Sequence, residues 1–351
     1  MAYINGIGII SPQDTLPGSG FLDPVVELDA DFLKCMEPVY KNYIDPLSAR
    51  RMSKLIKMGI SSAKICLLDA GIRMPDAIIT GTGLGSIEDT EKILEGMRVD
   101  EKFLNPTAFM QSTYNTISSQ IAISLKCHGY NSTYVHRAFS FESCLLDAIL
   151  QLEDGSAENI LAGGIDEMTN NHLSIIRRLG FWKRESVKNT DLWNYTTPGA
   201  LAGEGASYFM ISANKTETSY ARLLTAATLY KPGSSEETAL FVKTLLSSNG
   251  LNPSDIDLVM MGNNGDREHD LICEDVISQA VPGSCKVFYK HLCGEFHTVS
   301  GFALFAASNI LRSQSIPRSL QLSHARPEKL NNILIHNHFM NTDHAFILIS
   351  R

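Results

Sequence analysis

Short β-branched runs alternate along this chain with stretches of helical period, and each run is bounded by Gly, Pro or Asn. Residues 2–10 are predicted as a first strand that stops at Ser11-Pro12, and residues 76–80 as a second that stops at the turn Gly81-Thr82-Gly83-Leu84-Gly85. Residues 160–162, 206–212, 258–261, 287–289, 333–336 and 346–349 read as further strands, nearly continuous in apolar residues, as strands buried on both faces are. Helical spacing covers 51–69, 117–125, 141–152 and 237–247, and Gly71, Gly155 and Gly250 stand where three of these helices would end. Strands alternating with helices in this way give an α/β fold.

The turn at Gly81 follows a strand, as a dinucleotide-binding loop does. It lacks the third glycine at the helix-packing position, and no ribose-binding acid follows at the usual distance, so it reads as a tight turn needing positive φ.

Composition narrows the function. The 351 residues suffice for two or three domains or for one large duplicated fold, and 44% hydrophobic with 19% charged residues is ordinary for a globular protein. No run reaches the roughly eighteen apolar residues of a membrane span. The first residues lack the basic region, apolar run and cleavage site of a signal peptide, so a cytoplasmic protein is expected, with no membrane as partner. A net charge of −8 argues against nucleic acid. The seven cysteines are odd in number and never spaced C-x-x-C, which predicts reduced thiols. The ten histidines include no H-E-x-x-H, and Cys127-His128 has no second ligand pair, so neither a metal nor another cofactor is expected.

Several segments, in order, resemble one family. The run from Tyr3 to Pro12 (Y-I-N-G-I-G-I-I-S-P) is similar to the opening strand of β-ketoacyl synthases, the condensing enzymes of fatty acid and polyketide synthesis. The order continues with Arg50-Arg51-Met52-Ser53-Lys54, Asp69-Ala70-Gly71, the Gly81 turn, and Asn115 followed by Gln120-Ile121-Ala122. It closes with Leu161-Ala162-Gly163-Gly164-Ile165-Asp166-Glu167 and Gly203-Glu204-Gly205-Ala206. The resemblance implies a thiolase-like fold: two similar α/β halves, each with a mixed sheet, and helices sandwiched between them. The halves would be residues 1–216 and 217–351.

A condensing enzyme takes an acyl group onto a cysteine at a helix N-terminus, where the dipole and backbone donors favour the thiolate. In this family two imidazoles polarise the malonyl thioester. Counting back from Ala162-Gly163-Gly164 by the family's spacing places the nucleophile at Ala138. The first histidine, opening an H-G-T-x-T segment, falls on Gly262, with Asp270 and Glu274 downstream. The second, ending K-S-x-x-G-H, falls on Glu295, with Lys290 and Gly294 retained. The glycine-rich covering loop G-F-G-G-T-N-A corresponds to Phe339-Met340-Asn341-Thr342-Asp343-His344-Ala345. The expected pocket residues are Phe139, Lys290, Phe339 and Met340.

Cys144 is a weak candidate for a relocated nucleophile; it lies six residues past Ala138, about 9 Å along a helix, and otherwise reads as a small core residue. Ser140 reads as a helix cap. His291 and His297 either swing toward Glu295 or bond backbone or solvent. Lys290 is either a pocket lysine or half of a buried ion pair with Glu295 or Glu204. The resemblance implies a catalytically silent subunit of the chain-length-factor type, partner of an active ketosynthase in fatty acid or polyketide-type synthesis. The alternative is an active acyltransferase using Cys144. Expected partners are acyl carrier protein and either a ketosynthase in a heterodimer or a second copy in a homodimer. Residues 131–136 would lie in the dimer interface, and Phe109, Met110 and Thr113 beside the partner's tunnel. Arg50, Arg51 and Lys54, with Lys57, would dock the carrier, or else form a solvated helix face.

Overall fold

The protein is described by a computed structural model covering residues 1–99, 105–320 and 329–351. Ten strands join in one mixed sheet: β1 (Ala2–Ile10), β2 (Ala77–Gly81), β3 (Tyr130–Tyr134), β4 (Asn159–Asp166), β5 (Gly205–Ser212), β6 (Ala221–Tyr230), β7 (Leu258–Met261), β8 (Cys285–Phe288), β9 (Asn332–Phe339) and β10 (Asp343–Ser350). Their order is β8-β7-β9-β10-β6-β1-β5-β4-β2-β3. From either edge inward the sequence is third, second, fourth, fifth and first strand of a set of five, so one topology occurs twice. In each set the second strand runs parallel to the third and fourth, and the fifth is antiparallel to both its neighbours. The two sets join where β1 pairs antiparallel with β6, through Ala2↔Leu223, Tyr3↔Arg222 and Ile4↔Ala221.

Nine helices of seven or more residues flank the sheet among the described residues: α1 (Lys54–Ala70), α2 (Ile87–Val99), α3 (Pro106–Ser112), α4 (Thr116–Leu125), α5 (Ser140–Asp154), α6 (Asn170–Arg178), α7 (Ser235–Ser248), α8 (Arg267–Ala280) and α9 (Ser300–Ser313). Helix α5 packs on β2 and β4 of its own set and also on β6; α9 packs on β9 of its own set and on β1 and β5. These two helices are therefore sandwiched between the halves. Helices α1 and α4 cover the outer face of the first half, and α7 and α8 that of the second.

Burial on both faces explains the continuous apolar strands. On β4, Ile160 and Ala162 face the central helices while Leu161 and Ile165 face α1; on β7, Leu258 and Met260 point inward while Val259 and Met261 meet α8. The helix predicted over 51–69 begins at Lys54, because the Ser53 hydroxyl accepts from Ile56 N and caps it. It ends as predicted, with Gly71 left-handed at φ 65°. Strand β6 and helices α2, α3, α6, α8 and α9 were not predicted. Helix α9 is buried nearly all round, so it shows no polar face and no 3.6-residue alternation. Strand β6 is rich in Ala and Leu, which are weak strand signals.

Among the described residues no helix is long and apolar enough to cross a membrane, and no group of three or more His, Cys, Asp or Glu could hold a metal ion. Cys35, Cys66, Cys127, Cys144, Cys273 and Cys293 are buried thiols.

Strand β1 lies so close to α1 that the Ser62 hydroxyl donates to Gly8 O at 2.7 Å, and a Cβ on Gly8 would drive into Ser62 O and Cys66 N. Gly8→Ala should destabilise the fold by about 3 kcal/mol, the upper end of overpacking costs, read as a lower urea midpoint at unchanged slope; an unchanged midpoint would contradict this packing.

Candidate functional site

After β3 the chain turns through His136 and a single 3-10 turn, Arg137–Phe139, into α5. Arg137 has φ 48°, a left-handed conformation uncommon outside glycine. Ala138 is buried at the mouth of α5, so the strand–turn–helix that would present a nucleophile exists here with a methyl group at its apex. Ser140 is the first helical residue and not the cap expected of it: its hydroxyl hydrogen is shared between Arg137 O (2.7 Å) and Thr82 O (3.0 Å), and its oxygen accepts from His136 N (2.8 Å), bracing the turn.

Cys144 does not reach this turn's mouth. It is fully buried among Phe141, Leu145 and Ala148, and its thiol donates to Ser140 O at 3.1 Å. Burial, then the Glu142 and Asp147 carboxylates, push the thiol well above its ordinary pKa, so the thiolate a nucleophile requires is suppressed. Glu142 itself is fully buried, and among the described residues neither carboxylate oxygen has a hydrogen-bond partner. Burial pushes it up to about 7.

Gly262 follows β7 and lies flat against β9: a Cβ there would stand 2.7 Å from His336 O and 2.9 Å from Asn337 Cα. An imidazole at this position requires β9 to move. The turn after it is organised by Asp270, whose carboxylate accepts from Asn264 N (2.8 Å) and Gly265 N (3.1 Å), while Asn263 donates to Glu274 at 3.0 Å.

Lys290 and Glu295 are each 1% exposed and pair at 2.6 Å. Lys290 Nζ also donates to His338 O (3.2 Å), and Asn264 Nδ2 donates to Glu295 Oε2 (3.0 Å). Of the two readings open for Lys290, the structure gives the buried ion pair, with Glu295 as partner; Glu204 is bonded by Lys54 instead. His291 donates from Nε2 to Ser319 O at 2.8 Å, and His297 lies against the Phe339 ring at 4.8 Å. Burial holds both near 4, hence neutral, and neither ring is bonded to Glu295.

The segment expected as a covering loop is a tight hairpin. Strands β9 and β10 pair as far as Phe339↔Asp343, Thr342 N donates to Phe339 O at 3.1 Å, and Met340 and Asn341 have φ 57° and 51°. Positive φ at both central residues marks the type I′ class. Phe339 and Met340 join Phe139, Arg137, Phe181 and Tyr230 around a cavity of about 870 Å³. Lys290, expected in the same pocket, is not on its wall.

Phe109 and Met110 on α3 are 62% and 61% exposed, and Thr113 just past α3 is exposed too. Strand β3 is an edge of the sheet, paired among the described residues with β2 alone of the strands. Arg50 and Arg51 face solvent, but Lys54 is committed to the fully buried Glu204 and Lys57 lies over the Tyr40 ring at 5.2 Å, so the expected basic cluster reduces to two free arginines. The reading of the sequence passed over His336, His338 and His344. Their signal was the period of two, which sets His336 and His338 on one face of β9, with His344 opposite His338 in register.

Comparison with known proteins now bears on this geometry. Residues 29–176 match the family model described as β-ketoacyl synthase, N-terminal domain. The chain is 21% identical over 184 residues to the chloroplastic 3-oxoacyl-[acyl-carrier-protein] synthase II of Arabidopsis thaliana, an alignment that covers 49% of this chain and only 34% of that relative. The ishigamide ketosynthase/chain length factor superposes with a TM-score of 0.82 at 16% identity, covering 99% of this chain and 98% of that one. A β-ketoacyl synthase from Burkholderia phymatum gives 0.82 at 12% identity, covering 100% and 99%. A type II polyketide synthase acyl-carrier protein in complex with its ketosynthase bound to the hexaketide gives 0.80 at 12% identity, covering 99% and 98%. The resemblance read from the sequence and the thiolase-like fold it implies are thereby borne out.

Glu142 carries a pH prediction. Its folded pKa, about 7, lies above the ordinary 4.5, so the fold favours the protonated acid, and stability is lost as pH rises from about 4.5 through 7. The difference corresponds to about 3 kcal/mol at full ionisation. Glu142→Gln should therefore change stability little at pH 4.5 and raise it by up to about 3 kcal/mol at pH 8 in denaturant titrations; an equal effect at both pH values would show that this carboxyl ionises freely in the fold.

Proposed function

We propose that this chain is a catalytically silent, chain-length-factor-like subunit that assembles with an active ketosynthase in fatty acid or polyketide-type acyl-chain synthesis, in the cytoplasm. The supporting observation is joint: the apex of the turn before α5 carries Ala138, Gly262 has no room for an imidazole, and Glu295 is locked to Lys290. Thiolate generation and thioester polarisation are lost together, and residues that act as a unit do not fail additively. The alternative nucleophile Cys144 is disfavoured because a buried thiol with a raised pKa, bonded to its own helix, cannot meet a carrier-borne thioester.

The remaining parts of the proposal follow the same frame. The halves divide between residues 216 and 217, in the turn joining β5 to β6. The free edge of β3 pairs with its counterpart in the partner subunit, since an uncovered edge strand invites another chain. Exposed Phe109 and Met110, with Thr113, lie beside the partner's acyl tunnel, and the pocket of Phe139, Phe339 and Met340 is the remnant of this chain's own. Arg50 and Arg51 meet the acidic carrier protein.

Incubated alone with acyl and malonyl carrier thioesters, the purified chain should form no β-keto product, whereas addition of its cognate ketosynthase should restore synthesis. In the paired assay, altering Phe109 or Met110 should shift product chain length, and charge reversal at Arg50 and Arg51 should slow the carrier-dependent step at low salt. Turnover by the single chain, abolished by Cys144→Ala, would replace this assignment with the active acyltransferase.

Assembly is tested separately. The chain should be a dimer, with itself or with the ketosynthase, across an interface burying more than about 2000 Å². A monomer by light scattering at micromolar concentration, with and without the ketosynthase, would remove the assembly from the proposal.

A further inference from the structure

At the join of the two sets of strands the sheet has a gap. The pairing of β1 with β6 stops at Ile4, while on its other side β1 pairs with β5 as far as Ile10. Past the join Ile7 N meets no strand on that side and donates instead to the Asp69 carboxylate at 2.8 Å. A groove of about 590 Å³ runs through the gap: Ile65 of α1 lines it from the outer face of the sheet and Phe305 of α9 from the inner one, with Ile7 and Ile9 between them. Leu16 and Phe21, in the loop after β1, close it over. These walls are apolar, and the volume lies in the range of small-molecule sites, about 300–1,000 Å³.

At one end the groove meets a smaller cavity of about 230 Å³, and Tyr220 and Arg312 belong to the walls of both. The Arg312 guanidinium lies 3.6 Å from the centre of the Tyr220 ring, whose hydroxyl donates to Asp69 at 2.7 Å, so a ring and not a carboxylate holds this cation in place. The smaller cavity is basic. Lys215, Arg222 and Arg351 line it with Arg312, and Glu217 is the one acidic side chain on its wall. Among the described residues none of the four cations stands in an ion pair, and Arg222 Nε is buried without an acceptor. Four cationic side chains to one acidic one stand out on a chain of net charge −8. Like charges gathered in so small a space favour an anion among them.

Neither space belongs to the candidate site. Tyr230 and Asp343 lie on the 870 Å³ cavity, whereas Arg222 and Arg351 lie here, at the opposite ends of β6 and β10. Arg222 and Tyr230 are about 26 Å apart at the rise of a strand.

We infer that the two spaces form one binding site for an amphipathic phosphate monoester: the phosphate sits among Lys215, Arg222, Arg312 and Arg351, and its aliphatic chain passes Tyr220 into the groove. A phosphate suits the basic end because guanidinium N–H groups meet its oxygens in pairs and its second charge answers the remaining cations. An aliphatic chain suits the other end because Ile7, Ile9, Ile65 and Phe305 offer it apolar surface. The site is independent of whether the chain is catalytically silent.

The test is calorimetric titration of the full chain with monomeric octyl phosphate at pH 8, above the second phosphate pKa of about 6. One molecule should bind per chain, at least about tenfold more tightly than inorganic phosphate or octanol, each of which lacks one half of the contacts. Arg222→Gln and Arg312→Gln should each weaken octyl phosphate by about tenfold or more, whereas Arg184→Gln, exposed after α6, should not. Absence of saturable binding, equal affinity for inorganic phosphate or for octanol, or unchanged affinity in both Arg222→Gln and Arg312→Gln would overturn the site. Sedimentation with phosphatidylcholine vesicles containing phosphatidate separates the two sources of such a head group: a chain that binds the monomer and stays in the supernatant supports a soluble ligand, and capture by vesicles without binding of the monomer overturns it. Where an arginine variant does not fold, methyl spectra of the unaltered chain decide: nuclear Overhauser contacts from the octyl chain to the methyls of Ile7, Ile9 or Ile65 support the site, and contacts to none of the three overturn it.

Discussion

The buried pair of Lys290 and Glu295 constrains the segments packed around it. Removing two such ions from water costs several kcal/mol each, offset by their mutual contact and by further hydrogen bonds at Lys290 Nζ and Glu295 Oε2, while Glu295 Oε1 has no partner among the described residues. Lys290 spends a second proton on His338 O, and Glu295 receives the Asn264 amide. Through its backbone Glu295 also bonds Leu201 O and Gly203 N. Four segments are thereby tied: the turn after β7, the short helical turn at Lys290, strand β9 and the stretch before β5. Taking away either partner would strand a charge in the interior, a loss of about 3–5 kcal/mol.

That lock decides the chemistry as well as the packing. An imidazole at position 295 would strand Lys290, and one at position 262 would collide with β9, so neither position accepts a histidine by a single exchange. A cysteine placed at Ala138 alone would be a thiol with no imidazole at position 262 or 295. Burial first, and then neighbouring charges that include Lys290, hold His336 and His338 well below the ordinary histidine pKa, so these imidazoles stay neutral.

Much of the fold was legible in the sequence. The β-branched runs at β1, β2, β4, β5, β7, β9 and β10 are strands because they are buried on both faces, and the glycines after α1 and α5 end those helices in the left-handed conformation. Helix α9 was hidden by the same burial that makes it central, since a helix surrounded by protein has no polar face to give it a period. Of the candidate site the sequence marked positions rather than contacts. Spacing located Ala138, Gly262 and Glu295, but whether Lys290 met Glu295 or Glu204, and whether Lys54 was free, depends on contacts more than a hundred residues apart for Lys54 and Glu204. The contact of Cys273 with His336 was invisible for the same reason: the two meet only because α8 folds onto β9.

Some of the motifs that carried the family resemblance anchor buried contacts, within the first half and across to the second. Asp166 accepts from Gly83 N (2.8 Å) and the Thr82 hydroxyl (3.1 Å) on one side, and from Thr298 N (2.9 Å) and the Thr298 hydroxyl (2.8 Å) of the other half. Gly164 is pressed against Thr298 and Phe141, where a Cβ would stand 2.7 Å from the threonine. Glu204 gathers Cys35 N, Met168 N and the Lys54 ammonium around one buried carboxylate. None of these groups is a nucleophile or an imidazole. Close packing and buried hydrogen bonding therefore account for these residues of the resemblance without any reaction being invoked.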